Sequence, residues 1–145
     1  MNFLKTKLSD MFAKIKDEKE FSTFFVQHCL YPRLMFSPAD ALYSIHFVKM
    51  MFEFKVPRIS MFHIFGQIMT GIIPTIHCCT NNESENLGIF FMEWFQMIDR
   101  WANQDVWNEE CSKYTGFSRK VGGPDAVTYD YYIKNIFETI HTRFS

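Results

Sequence analysis

The sequence predicts an all-α fold, an antiparallel array of about six to seven helices with the character of an α-solenoid fragment. Three observations lead there. Apolar residues recur at helical spacing in segment after segment. No convincing period-2 run and no Asn-Gly or Asp-Gly hairpin signal occurs anywhere in the 145 residues. Serine, threonine and proline punctuate the apolar stretches where helices need starts and stops.

The first helix is predicted over roughly residues 3 to 17, with Leu4, Leu8, Met11, Phe12 and Ile15 as its stripe. A second, from about 19 to 31, carries Phe21, Phe24, Phe25, His28 and Cys29, and Pro32 should end or kink it. Ser37-Pro38-Ala39-Asp40 then reads as a helix start. The serine can accept from an orphan N–H, the proline suits the first position, and the aspartate favours the positive end of the dipole. The third helix runs to near Phe54. Its apolar residues surround most of the axis: Leu42, Ile45, Val48 and Phe52 on one side, Tyr43, Phe47, Met50 and Phe54 on the other. Such a helix packs on more than one face.

Val56-Pro57 breaks the chain, and a fourth helix follows Ser60, reaching at least Gly71, with Pro74 placed to kink it. Thr80-Asn81-Asn82-Glu83 is a capping-box pattern. It opens the clearest helix, with Leu87, Phe90, Phe91, Trp94, Phe95, Ile98 and Trp101 at helical spacing. A short helix is expected over residues 104 to 111, with Gly116 ending that segment. Residues 118 to 125, containing Gly122-Gly123-Pro124, form the expected main loop. The last helix begins near Thr128, with Tyr129, Tyr132, Ile133, Ile136, Phe137, Ile140 and Phe144 as its stripe. One helical domain over residues 1–145 results: a lead helix (1–18), a core array (19–117), a loop (118–127) and a terminal helix (128–145).

Composition excludes several function classes. At 48% apolar and 21% charged residues the chain can form a packed core, and disorder is not expected. The 17 phenylalanines mean that burial of aromatic surface dominates the folding energy. A net charge of −1 lacks the basic excess of a nucleic-acid binder. Lys5, Lys7, Lys14, Lys16 and Lys19 are offset by Asp10, Asp17, Glu18 and Glu20, so the start reads as a solvated helix face. No apolar block with small residues after it opens the chain, so Cys29, Cys78, Cys79 and Cys111 are expected as reduced thiols in the cytosol or nucleus. Residues 59 to 82 contain no Asp, Glu, Lys or Arg. Ser60, His63, Gln67, Thr70 and His77 interrupt the stretch, which favours a buried helix over a membrane span.

Catalytic and metal chemistry is not expected. His77-Cys78-Cys79 places three candidate ligands at adjacent positions that point apart on a helix, and His28-Cys29 has the same fault, so no metal is expected. Cys111 follows Glu109-Glu110, which would suppress its thiolate. The two glutamates occupy different helix faces and are no acid/base pair. Gly122-Gly123-Pro124 lacks the Gly-Lys-Ser/Thr ending of a phosphate loop. Arg100-Trp101 could stack on a nucleic acid, but Trp101 continues the stripe of its helix and reads as core. The residues describe a non-enzymatic helical interaction module without cofactors, small-molecule substrate or membrane contact.

Longer strings carry a resemblance. Residues 25 to 43 read Phe-Val-Gln-His-Cys-Leu-Tyr-Pro-Arg-Leu-Met-Phe-Ser-Pro-Ala-Asp-Ala-Leu-Tyr. Downstream stand Cys79-Thr80-Asn81-Asn82-Glu83 with Gly88, then Arg100-Trp101, then Glu110-Cys111 with Tyr114, Gly116 and Phe117, then Tyr129-Asp130-Tyr131. In this order they resemble an internal segment of the THO complex subunit 2 family, matched from about residue 20 onward. Ala102 and Thr115 stand where that family has histidine and proline. The resemblance implies a long α-solenoid without catalytic activity. It implies a scaffold in nuclear mRNP assembly and mRNA export, with other THO/TREX subunits as partners and RNA contact indirect or weak. Two other readings stand beside it: a truncated paralogue or relic that no longer assembles, and a nucleic-acid-binding helical module.

The last apolar stripe runs almost to Ser145 with nothing after it to cover it. It either packs back on the preceding helices, the simpler reading, or docks on a partner. Ile136, Phe137, Ile140 and Phe144 are the candidate partner surface.

Overall fold

The computed structural model describes residues 2–56, 59–112, 114 and 127–144; of Asn2, Arg143 and Phe144 only the backbone is described. The chain is all-α. α1 spans Asn2–Phe12. α2 (Glu18–Phe24) passes through a π-helical segment (Phe25–Leu30) into α3 (Tyr31–Phe36). α4 is Pro38–Glu53. α5 (Met61–Gln67) continues through a π segment (Ile68–Ile72) and a 3₁₀ segment (Ile73–Cys78). α6 is Asn81–Arg100 and α7 is Gln104–Glu110. The terminal helix joins α8 (Tyr129–Tyr132), a π segment (Ile133–Phe137) and α9 (Glu138–Phe144). The expected loop and Gly116 and Phe117 lie outside the described residues.

The two side-chain caps predicted, at Ser37 and Thr80, are made, and Ser60 and Thr128, read only as helix starts, also cap their helices. Ser37 accepts from the Asp40 N–H at 3.1 Å and Ser60 from the His63 N–H at 3.3 Å. Thr80 and Glu83 form the reciprocal capping box, the Thr80 N–H donating to Glu83 Oε2 at 2.8 Å. Thr128 caps the terminal helix through the Tyr131 N–H at 3.3 Å.

Two expectations are corrected by backbone hydrogen bonds. α1 stops at Phe12, five residues early, because Asp17 starts the next helix, accepting from the Lys19 and Glu20 N–H groups at 2.9 Å. Leu8 and Phe12 of its stripe are buried, while Leu4 and Met11 stay exposed. Of the two outcomes expected at Pro32, an end or a kink, the end does not occur, and the helix runs on to Phe36. The Tyr31 N–H reaches back five residues to the Val26 carbonyl, and the widened turn moves the carbonyl that the ring would strike. The same device precedes Pro74, where the Ile73 N–H donates to the Ile68 carbonyl. α4 ends in a Schellman pattern, Lys55 N–H to Phe52 and Val56 N–H to Met51, with Lys55 in the left-handed region at φ 50°.

The core gathers around α6. Leu87, Phe90, Phe91, Trp94, Met97 and Ile98 of this helix are buried, facing α3, α4 and the α5 rod. Trp94 meets Phe65 edge-on at 5.8 Å. Lys49 of α4 bonds Glu93 of α6 at 2.7 Å and holds that carboxyl below its usual range. No helix among the described residues is long and apolar enough to cross a membrane.

α5 also packs on α2. His63 sits at this contact, and burial first, then the nearby Lys19 charge, holds its imidazole below the ordinary value, with Glu18 and Asp17 opposing. A folded-state value below the unfolded one stabilises the fold above about pH 6.5, and that contribution is lost as pH falls through the folded value. Urea-unfolding midpoints taken from pH 7 to pH 5 are therefore expected to fall less in His63→Gln than in wild type; equal slopes would remove His63 from the account.

Candidate functional site

The strings that carry the family resemblance turn out to hold helix ends. Asp40 makes three bonds: its carboxylate accepts from Arg33 Nε at 3.0 Å and from the Ser37 hydroxyl at 2.7 Å, and its own N–H donates to Ser37 Oγ in the cap. The Ser37 hydroxyl foremost, with the Arg33 charge, keeps the Asp40 carboxyl low despite some desolvation. The Arg33 guanidinium lies 4.8 Å over the Tyr43 ring, so one arginine ties α3 to two turns of α4. Asn86 of α6 donates to the Met35 carbonyl at 3.1 Å and fixes this corner on the central helix.

Glu110 closes the second corner. One carboxylate oxygen accepts from the Trp101 indole N–H at 3.0 Å and the other pairs with Arg100. Trp101 is buried, its ring tilted against Phe52 at 4.7 Å. The Arg-Trp pair is thus internal to the fold. Three tyrosine hydroxyls cap carbonyls far away in sequence: Tyr114 on Val56 at 3.1 Å, Tyr132 on Ile98 at 2.7 Å, and Tyr129 on Ala102. Burial pushes the Tyr114 and Tyr132 hydroxyls up, so they remain neutral donors. Cys111 is buried, and desolvation first, then Glu110, raises its thiol far above nucleophilic range. Among the described residues no group of three His, Cys, Asp or Glu is placed to hold a metal ion.

Surface concavities are the remaining candidates. The first, about 740 Å³ between α4, α6 and α7, is lined by His46, Lys49, Glu53, Lys55, Arg100, Glu109 and Glu110 among others. Its charges are mixed, and three of them, Lys49, Arg100 and Glu110, are spent on the internal ion pairs Lys49–Glu93 and Arg100–Glu110. The second lies between α6 and the terminal helix. It encloses about 450 Å³ and is predominantly apolar. Met92, Phe95, Gln96, Ile98 and Asp99 form one wall; Phe137, Ile140 and His141 form the other. Met92 is 55% exposed at its rim.

The four residues predicted as a partner surface divide here. Ile136 and Ile140 are buried and join the core cluster, Ile140 also reaching the groove floor. Phe137 is half-buried and lines the groove. The side chain of Phe144 lies outside the description. Sequence reasoning missed the facing wall, because Met92 and Asp99 lie off the apolar stripe of α6. It also missed Phe36, which is 83% exposed at the α3–α4 corner although its motif neighbours are all engaged.

The family model described as "Tho2: Transcription factor/nuclear export subunit protein 2" matches residues 1–145. The human THO complex subunit 2 is 30% identical over 131 residues, 86% of this chain and 8% of that protein. The Arabidopsis thaliana THO complex subunit 2 is 31% identical over 125 residues, 83% of this chain and 7% of that protein. The Saccharomyces cerevisiae THO complex subunit 2 is 33% identical over 91 residues, 61% and 5% respectively. The chain thus spans less than a tenth of these relatives' length, and the match takes in the lead helix as well as the motif region. No solved structure matches.

Glu110 offers a direct check on the corner. Glu110→Ala leaves the buried indole N–H of Trp101 without its acceptor, a loss of about 1–3 kcal/mol. Glu110→Gln keeps an acceptor and is expected to lose distinctly less in urea denaturation. Equal losses would mean that the carboxylate acts on Arg100 alone.

Proposed function

Because this chain belongs to the THO complex subunit 2 family, we propose that it is a non-catalytic helical scaffold segment that works through protein–protein contacts in nuclear mRNP assembly and mRNA export. The observation that carries the reading is the family match across all 145 residues. The residues behind the resemblance support it in kind: they cap helices and tie corners, which is the work of a rigid platform rather than of a reactive site. On this reading the chain is one helical unit of a solenoid, located in the nucleus, and its partners are other THO/TREX subunits. RNA contact runs through the assembly, since a net charge of −1 offers little counterion release.

The partner surface on this reading is the groove between α6 and the terminal helix, with Phe137 as its aromatic anchor and Ile136, Ile140 and Phe144 belonging to the same helix. Tagged protein incubated in nuclear extract and read by mass spectrometry is expected to recover THO subunits in stable ratio. Phe137→Asp is expected to lose them while the circular dichroism spectrum stays unchanged. Recovery of chaperones alone by wild type would make the chain a relic; loss of helicity in the variant would make Phe137 a core residue.

A further inference from the structure

We propose that the outer flank of α1 is a docking surface for an acidic amphipathic helix of a partner protein. This flank is separate from the groove beside the terminal helix, which no residue of α1 lines. α1 is only half committed to the core. Leu8 and Phe12 are buried, and Phe12 meets Phe21 of α2 edge-on at 5.4 Å. Phe3, Leu4 and Met11 of the same helix are 73%, 53% and 66% exposed. At about 100° per residue, Leu4 and Met11 fall side by side next to Leu8, and Lys7 and then Phe3 follow around the axis. The Lys7 ammonium lies 5.7 Å from the centre of the Phe3 ring, in agreement with that order. Leu4 and Met11 stand about 10 Å apart along the axis, so they are two steps of an i, i+7 row.

Folding re-sorts the charges at this end of the chain. In sequence the lysines alternate with acids. In the structure Asp17, Glu18 and Glu20 go with the next helix. Asp17 accepts from two backbone N–H groups as the cap of α2, and with Glu18 it acts on His63 at the α2–α5 contact. α1 and the turn after it keep Lys5, Lys7, Lys14 and Lys16, all exposed, against Asp10 alone. None of these lysines takes part in a described ion pair. Met1 and the Asn2 side chain lie outside the described residues, and neither is acidic. Asp10 falls on the side of α1 opposite Leu8. A partner row laid on Leu4 and Met11 brings its own flank beside Lys7, where a carboxylate is attracted and an ammonium repelled.

Two other anionic partners fit the face less well. A nucleic acid stacks its bases on open rings, and Phe3 already carries Lys7 over its face. Its phosphates gain nothing from Leu4 and Met11. An anionic bilayer would meet the crest of α1 first, and exposed Asp10 stands there. A helix brings its backbone already bonded and can set an apolar i, i+7 row on Leu4 and Met11 while its acids reach the lysines.

The test uses the full chain and three fluorescein-labelled probes: a synthetic helix with an i, i+7 leucine row flanked by glutamate, the same helix with lysine in the glutamate positions, and a single-stranded oligouridylate. Vesicles of phosphatidylserine and phosphatidylcholine are offered separately in a sedimentation assay. Anisotropy titrations are expected to show the glutamate helix binding roughly three- to tenfold tighter than the lysine helix, and tighter than the oligonucleotide, with the protein left in the supernatant of the vesicles. Lys7→Gln should narrow the gap between the two helices. Leu4→Ser combined with Met11→Ser should weaken the glutamate helix roughly tenfold. Both side chains are exposed, so far-ultraviolet circular dichroism should not change. Met92→Ser, in the groove of α6, should leave the binding as it is. Equal affinities for the two helices, binding unaltered by the paired serine substitutions, loss of binding in Met92→Ser, preference for the oligonucleotide or the vesicles, or no binding of any probe would each overturn the proposal.

Discussion

The burial of Trp94 is the contact on which the rest of the molecule depends. It is fully buried on α6 and is surrounded by Phe65, Phe91 and Phe95. Its indole N–H has no hydrogen-bond partner among the described residues, an arrangement that costs about 1–3 kcal/mol. Removing some 200 Å² of aromatic surface from water contributes roughly 5 kcal/mol, so burial outweighs the orphaned donor. The stretch of low charge that could have read as a membrane span is the α5 rod, with Met61, Ile64, Phe65 and Ile68 all buried. It is apolar because it shields the central helix.

Corners, rather than surfaces, carry the family's signature. Arg33, Ser37, Asp40 and Tyr43 hold the α3–α4 turn. Thr80 and Glu83 start α6, while Arg100, Trp101 and Glu110 close its far end. Tyr114, Tyr129 and Tyr132 return the remaining segments to that frame. Each of these groups satisfies backbone or side-chain polarity that packing would otherwise leave unpaired. A chain can therefore be placed in its family on residues that say how it folds, while its binding behaviour rests on other residues.

The same division explains what was legible in the sequence. Caps depend on three or four consecutive residues, so Ser37 and Thr80 could be read directly, and Ser60 and Thr128 as helix starts. Helical stripes depend on a fixed period, and α6 keeps it from Leu87 to Ile98. The passage of a helix through Pro32 was hidden because it requires a shift from i−4 to i−5 bonding, which side-chain types do not announce. The early end of α1 turns on Asp17, a single residue inside a run of alternating charges. On the candidate surface, Phe137 was legible as an apolar residue on the last helix. That it lines a groove while Ile136 does not follows from the π segment and from the placement of α6, two facts of tertiary structure.

All three tryptophans lie in this frame: Trp94 in the aromatic centre, Trp101 on Glu110, and Trp107 stacked on Tyr132 at 4.4 Å, each no more than 1% exposed. The intrinsic fluorescence of the protein is consequently an internal gauge. It watches the middle of the central helix and the packing at its C-terminal end together, and the groove contains no indole. A bound partner that leaves the emission unchanged has met a preformed surface. One that shifts it has repacked the interior.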